Sequence, residues 1–554
     1  MTRTPGSPSP VRRAGGTRAR RRAAVWLTAA ALLAGTAACT SGGSDGSEGG
    51  GSRGDRAPRT LRVLASSELA DLKPVLEQAR EATGVTVKAT WTGTLDAVEQ
   101  VASGKADGRY DAVWLASNDY LRLRPAAAGK IGSETPLMSS PVALGVKKEA
   151  VERLGWQPDE VTWSQIHRAA ADGKLSYGMT DPLRSNSGFA ALISTASALS
   201  DAQSALREED VREAAPELEE FFAGQKLTSG SSGWLASAYE RRGSVDALIN
   251  YESVLLSMNR DRDTGLTVIR PKDGVVTADY PLTHLASASE DARDSAGTLA
   301  RHLRSPEAQR AITEQTFRRP VVASVEPAAG LSQEKRHELP FPGSQSVADG
   351  LLAAYENELR RPSRTVYVLD TSGSMAGGRL EKLKKALTRL AGADTSPAGE
   401  RFRDREEVTL MPFGTEVKRV RTHTVPEERP AGALGRIRGD ADSLTAAGNT
   451  SIFSSLEEAY RHLDKRESAL GDDRFTSIVL MTDGQNTTGT DAAGFESFYR
   501  GLPERRQEAP VFPILFGDSD HAELTSIAEL TGGRLFDANE GSLAGAFEEI
   551  RGYQ

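Results

Sequence analysis

Asp370, Ser372 and Ser374 stand two residues apart in TVYVLDTSGSM (365–375). One carboxylate followed by two hydroxyls at alternate positions puts three oxygen donors on one loop. Thr450 follows in the Gly-rich GNTS (448–451), and Asp483 in TDG (482–484). Oxygen donors without histidine or cysteine suit a hard divalent cation, magnesium first with manganese or calcium as alternatives, and do not suit zinc.

The elements around these residues are predicted to present them together. Thr365–Leu369 and Thr476–Thr482 are short apolar runs of the buried-strand type, and each ends in one of the two aspartates. Thr450 stands at the entry to an amphipathic helix within GNTSIFSSLEEAYRHL (448–463). Further strands are expected in EVTLMPFG (407–414), PVFPILFG (510–517) and GRLFDA (533–538), with helices at 522–531 and 542–550. A doubly wound sheet with its site at the carboxyl edge is the architecture this alternation predicts. The order D-x-S-x-S, later Thr, later strand-end Asp resembles the metal-ion-dependent adhesion site of von Willebrand factor A (VWFA) domains. That resemblance implies direct ligation by Ser372 and Ser374, and Asp370 and Asp483 acting mainly through water. Thr450 would ligate directly in one state and through water in another. It also implies an open metal position that attracts a carboxylate from a partner protein.

Residues 59–340 read as a separate α/β domain. LRVLA (61–65), VTVKATW (85–91) and DAVWL (111–115) are strands, with amphipathic stretches between them, so a largely parallel sheet is expected. Ser66, Ser67, Thr92 and Thr94 fall at strand ends, where ligands of such sheets bind. The order of SSPVALGVKK (139–148), GWQPDEVTWSQI (155–166), DPLRSNSGFAAL (181–192), LINYESVLL (248–256) and SPEAQRAITEQTFRRP (305–320) resembles two-lobed extracellular solute-binding proteins. In that family 139–148 is the crossing between lobes. The resemblance implies a cleft lined by Ser66, Ser67, Thr92, Thr94, Ser140, Asn186, Ser187 and Tyr251, suited to a small polar solute. Glu252 would disfavour an anion there if it faced the cleft. A connector and helix (341–362) lead to the VWFA-like domain (363–554).

The chain opens as an address. Arginines at 3, 12, 13, 18, 20, 21 and 22 precede an apolar run, Ala23–Ala38, too short to span a bilayer. The single cysteine, Cys39, follows Thr36-Ala37-Ala38. This resembles a bacterial lipoprotein signal (1–38), which implies lipidation at Cys39 and a membrane anchor on the extracytoplasmic face. Residues 39–58 are a Gly/Ser tether.

Without residues 1–38 the chain holds 61 basic and 76 acidic residues, net −15. An acidic body argues against nucleic acid as a partner. Enzyme chemistry finds no carrier either. Position 372 is serine where an aspartyl-phosphate site would need a second carboxylate, and no P-loop, G-x-S-x-G elbow or H-E-x-x-H occurs. The sequence therefore predicts a non-enzymatic, lipid-anchored surface protein that binds a protein or acidic ligand through its metal. The alternative is the solute receptor of an ABC-type importer, with the VWFA domain docking a partner.

Overall fold

The computed structural model describes residues 59–243, 245–392, 401–470, 474–539 and 542–553. The expected signal, Cys39 and tether lie outside them. In chain order the strands of the first domain are Arg59–Ser66 (β1), Val85–Thr92 (β2), Ala112–Trp114 (β3), Ile131–Pro136 (β4), Met138–Val146 (β5) and Tyr177–Thr180 (β6). They continue with Gln225–Ser229 (β7), Ala247–Tyr251 (β8), Thr267–Ile269 (β9), Thr277–Ala278 (β10), Pro281–Leu285 (β11) and Arg319–Pro320 (β12).

Two sheets make two lobes. The first has the order β2-β1-β3-β11-β4, and the second β10-β5-β8-β6-β7, with β9 and β12 also paired to β5. Pairing is parallel within β2-β1-β3 and within β8-β6-β7, but β11 runs antiparallel to β3 and β4, and β5 antiparallel to β8. Both sheets are therefore mixed, not largely parallel. The reason lies in the crossings: β4 passes into β5 at Leu137, and β10 passes back into β11 after Ala278. A strand that returns from the other lobe enters against the local direction. Residues 139–148, expected to cross between lobes, instead begin the second lobe as β5.

The helix Gln345–Ala354 is capped by Ser344, whose hydroxyl accepts from the Val347 N–H. Its apolar stripe, Val347, Leu351 and Leu352, joins the core of the first domain, together with Tyr355 beyond its end. The predicted connector helix is thus packed as part of that domain.

The second domain is one six-stranded sheet. Its strands are Ser363–Asp370 (β13), Glu407–Phe413 (β14), Arg421–Thr424 (β15), Phe475–Thr482 (β16), Val511–Leu515 (β17) and Phe536–Asp537 (β18), ordered β15-β14-β13-β16-β17-β18. Only the edge strand β15 is antiparallel. The central strand β13 is buried along its whole length, as a strand covered on both faces must be. Tyr367 and Leu369 enter one core with the helices Gly378–Leu390 and Leu543–Ile550, whereas Val366 and Val368 enter the other beneath Ile452–Leu470. Alternation along one strand thus holds both helical layers.

The two domains share buried ion pairs. Arg403 reaches Asp181 of the second lobe at 3.1 Å and Glu356 after the connector helix at 3.2 Å, and all three are at most 5% exposed. Near the chain end, Tyr553 packs edge-on against Trp234 with ring centroids 6.2 Å apart.

Candidate functional site

Register decides where the two aspartates meet. β13 and β16 are adjacent and parallel, with Leu369 opposite Met481. Asp370 therefore ends its strand beside Thr482, and Asp483 emerges one residue later. Asp370 is fully buried. Its Oδ1 accepts from the Ser372 N–H at 2.8 Å, and its Oδ2 from the Thr482 hydroxyl at 2.6 Å. The hydroxyls of Ser372 and Ser374 share a hydrogen bond at 3.0 Å, and Ser374 donates to Asp483 Oδ1 at 2.8 Å. Oxygen atoms of Ser372, Ser374 and Asp483 are thus joined in one chain, and Asp370 is tied to it through the Ser372 N–H.

Thr450 is held by its backbone. Its N–H donates to Thr487 Oγ1 at 3.0 Å, and its carbonyl accepts from the N–H groups of Thr487 and Thr488. The loop before it turns at Gly448, whose φ of +91° is a conformation that side chains disfavour. The Gly448 carbonyl accepts from the Gly373 N–H at 2.9 Å, which sets the Thr450 loop against the serine turn.

Burial holds the Asp370 carboxyl above its ordinary range, and the charge of Asp483 adds to the rise against hydrogen bonds from Thr482 and Ser372. A second carboxylate beside a buried one is costly unless a cation joins them. Among the described residues no group of three or more His, Cys, Asp or Glu is placed to hold a metal. The donor set here has two carboxylates and three hydroxyls, all oxygen, which fits a hard divalent ion.

Three residues that sequence reasoning missed complete the surroundings. Thr482 fixes Asp370. Arg379 donates to Asp483 Oδ2 at 2.7 Å and to Asp518 at 2.6 Å. Lys418 donates to the carbonyl and hydroxyl of Thr371, both at 2.9 Å, tying down the strand end. Thr482 was legible as the residue before Asp483. Arg379 was not, because its partner lies 104 residues away.

The predicted solute residues divide into two groups. Ser67 and Thr92 line a cleft of about 990 Å³ between the lobes. The other six are buried and bonded within the protein. Ser66 and Thr94 share a hydrogen bond at 2.8 Å, and Ser66 also accepts from the Ala116 N–H. Ser140 accepts from the Ser253 N–H, Asn186 donates to the Tyr251 hydroxyl at 2.9 Å, and Ser187 bonds the hydroxyls of Thr180 and Ser232 at 2.8 Å. Glu252 is buried against Arg319 at 2.8 Å and Arg270 at 3.3 Å, so its charge is matched inside the domain.

The second domain forms part of the same cleft's wall, through Gly545, Glu548, Glu549 and Tyr553. Arg184 of the second lobe connects all three parts. It meets Asp96 of the first lobe at 3.5 Å and donates to the Glu548 carbonyl. The lobes touch so closely here that a Cβ on Gly93 would lie 2.2 Å from the Arg184 carbonyl oxygen.

At one end of the interlobe contact the Arg318 guanidinium is fully buried, paired with Asp71 at 2.7 Å and stacked 4.9 Å from the Tyr280 ring. It also donates to the carbonyl of Glu68, whose own carboxyl is pushed by burial from an ordinary 4.5 up to about 7. A carboxyl raised in the folded state keeps its proton where the unfolded chain has lost it. Its contribution to stability is therefore present at low pH and is lost as pH rises through about 7. Glu68→Gln is expected to raise the melting temperature at pH 8 and to flatten the fall between pH 5 and 8. An unchanged pH profile would refute this assignment.

A two-lobed α/β binding domain joined to a doubly wound sheet with an oxygen-donor site defines a class, and the comparisons agree with it. Residues 61–318 match the bacterial extracellular solute-binding protein family, and residues 365–485 match the von Willebrand factor type A domain. The chain thus carries an extracellular solute-binding domain followed by a VWFA domain. Both are binding modules, and the first points to an extracytoplasmic protein. Inter-alpha-trypsin inhibitor heavy chain H4 of Homo sapiens is 29% identical over 198 residues, 34% of this chain and 20% of that protein. Heavy chain H3 of Homo sapiens is 32% identical over 130 residues, 23% of this chain and 14% of that protein. The chain spans about a fifth or less of the length of these curated relatives. Among solved structures, a periplasmic binding protein of Actinobacillus pleuropneumoniae with fructose-6-phosphate bound is 12% identical, with a TM-score of 0.46, covering 55% of this chain and 99% of that one. A periplasmic thiamin-binding protein is 14% identical, with a TM-score of 0.44, covering 55% of this chain and 97% of that one. Among the described residues no helix is long and apolar enough to cross a membrane.

Proposed function

We propose that this chain is a surface-held binding protein that engages a protein or other acidic ligand through a divalent cation held by Asp370, Ser372, Ser374, Thr450 and Asp483. The observation that carries the reading is the continuous hydrogen-bonded run Asp370–Ser372–Ser374–Asp483 at the carboxyl edge of the sheet. Bound there, the cation supplies a Lewis-acidic position for a partner's carboxylate. The chain's own part is orientation. Thr482 and the Ser372 N–H hold Asp370 in place, and Gly448 seats the Thr450 loop. Arg379 draws charge from Asp483, which keeps the donor set weakly anionic and the cation receptive. The test is thermal melting of the full chain in EDTA, then with Mg²⁺, Mn²⁺ or Ca²⁺. A metal that binds only the folded state raises the melting temperature. No shift with any of the three ions overturns the reading.

The anchor belongs to the same proposal. Cys39→Ala is expected to move the chain from the membrane fraction to the soluble fraction of fractionated cells. Retention of the variant on membranes would remove Cys39 as the anchor. A second reading, capture of a small solute for an importer, is supported by the interlobe cleft. It predicts tight, saturable binding of one small polar molecule in EDTA, where the metal reading predicts none.

A further inference from the structure

The chain crosses between the two lobes at Leu137 and again at Asp279-Tyr280, between β10 and β11. Tyr280 has a φ of +45°, in the left-handed region that a residue with a Cβ seldom adopts. Its N–H donates to the Ala116 carbonyl at 3.0 Å, and its carbonyl accepts from the Trp114 indole N–H at 3.1 Å. A strained residue between two rigid sheets marks a joint about which lobes can turn.

Two elements outside the lobes bridge them. The helix Gln345–Ala354 lies against both. On the first lobe the Tyr120 hydroxyl donates to Asp349 at 2.7 Å. On the second, Tyr355 at the helix end packs edge-on against Phe222 with ring centroids 5.0 Å apart, and its hydroxyl donates to Gln225 of β7 at 3.2 Å. The second domain is the other bridge. It grips the loop 181–185, where Arg403 meets Asp181 and the Glu548 carbonyl accepts from Arg184. The same loop faces the first lobe through Arg184, which pairs with Asp96 and whose carbonyl abuts Gly93. The second domain also meets the second lobe at Gly552, where a Cβ would lie 2.9 Å from the Gly230 Cα.

We infer that the second domain, with the helix that leads into it, is a strap holding the interlobe cleft shut, so that the cleft opens only when the second domain releases the loop 181–185. Turning the first lobe outward about Tyr280 pulls Tyr120 from Asp349 and Asp96 from Arg184, and the Glu548 carbonyl holds Arg184 in place against that pull. Domain docking and lobe closure therefore favour each other. A partner that draws the second domain away frees the cleft, and a solute that needs open lobes weakens the docking. The strap acts through these contacts and requires no cation at the Asp370 site.

The test is hydrogen exchange of the full chain in EDTA, read by mass spectrometry over 92–102 of the first lobe and 181–187 of the second. Local opening appears there as faster exchange. Gly552→Leu and the milder Gly552→Ala wedge the second domain from Gly230 and Arg184 without touching the first lobe. Exchange over 92–102 is expected to rise at least tenfold in Gly552→Leu and less in Gly552→Ala, with β13 and β16 still protected as the sign of an intact second domain. Tyr120→Phe combined with Asp96→Ala cuts the first-lobe ties directly and is expected to speed exchange over both segments. A wild-type rate over 92–102 in both Gly552 variants overturns the inference, because the lobes then hold each other without the second domain. An unchanged rate in the double variant overturns it too, because the named ties then hold nothing.

Discussion

Asp370→Asn is expected to abolish the metal-induced rise in melting temperature without weakening the metal-free fold. In the wild type, a divalent ion at a hundredfold excess over its Kd stabilises the folded state by about 2.7 kcal/mol. For a cooperative unit the size of the second domain this is a rise of roughly 5–10 °C. The variant loses it because a neutral amide replaces the buried anion that draws the cation. The metal-free consequence has the opposite sign. Burial already holds the Asp370 carboxyl above its ordinary range, so its charge is a cost in the absence of metal. Removing that charge leaves the metal-free protein as stable or more so. The same sign governs pH. Protonation of Asp370 competes with the ion, so the metal response weakens as pH falls. A full metal response in the variant would place the ion elsewhere.

Arg403→Ala is expected to give the largest loss of stability of any single replacement proposed here. Its guanidinium joins Asp181 and Glu356, and each of the three is at most 5% exposed. Truncation leaves two carboxylates buried without their cation, and breaking a buried pair in this way costs about 3–5 kcal/mol. Asp181 belongs to the second lobe and Arg403 to the second domain, so the loss falls on docking as well as folding. Two separate melting transitions in place of one would show the domains parting. A change of less than about 1 kcal/mol would mean that water replaces the guanidinium at little cost.

Asp370, Ser372, Ser374 and Asp483 were legible as neighbours because they follow the ends of two buried strands in a marked sequence pattern, and those strands lie side by side. The same reasoning erred on the sheets of the first domain. Periodicity shows that LRVLA and DAVWL are strands, but not that Pro281–Leu285 returns beside Ala112–Trp114 in the opposite sense. Direction is set by which lobe the chain arrives from, and no local pattern records it. Ser66 and Thr94 stand at element ends, and Ser187 lies in the loop-and-helix segment that carries the solute-binding resemblance. Those positions are real, but the hydroxyls of Ser66 and Thr94 bond to each other and that of Ser187 bonds to those of Thr180 and Ser232.

What the sequence determined by itself was the order of two binding modules and that Asp370, Ser372, Ser374 and Asp483 gather at one sheet edge. Both follow from residue type and spacing along the chain. Tertiary structure alone decided that Arg379 meets Asp483 and that Arg184 spans three parts of the molecule. It also decided that Tyr120 meets Asp349, 229 positions further along the chain. Those contacts depend on how folded surfaces fit, and charge acts through space without regard to separation in sequence.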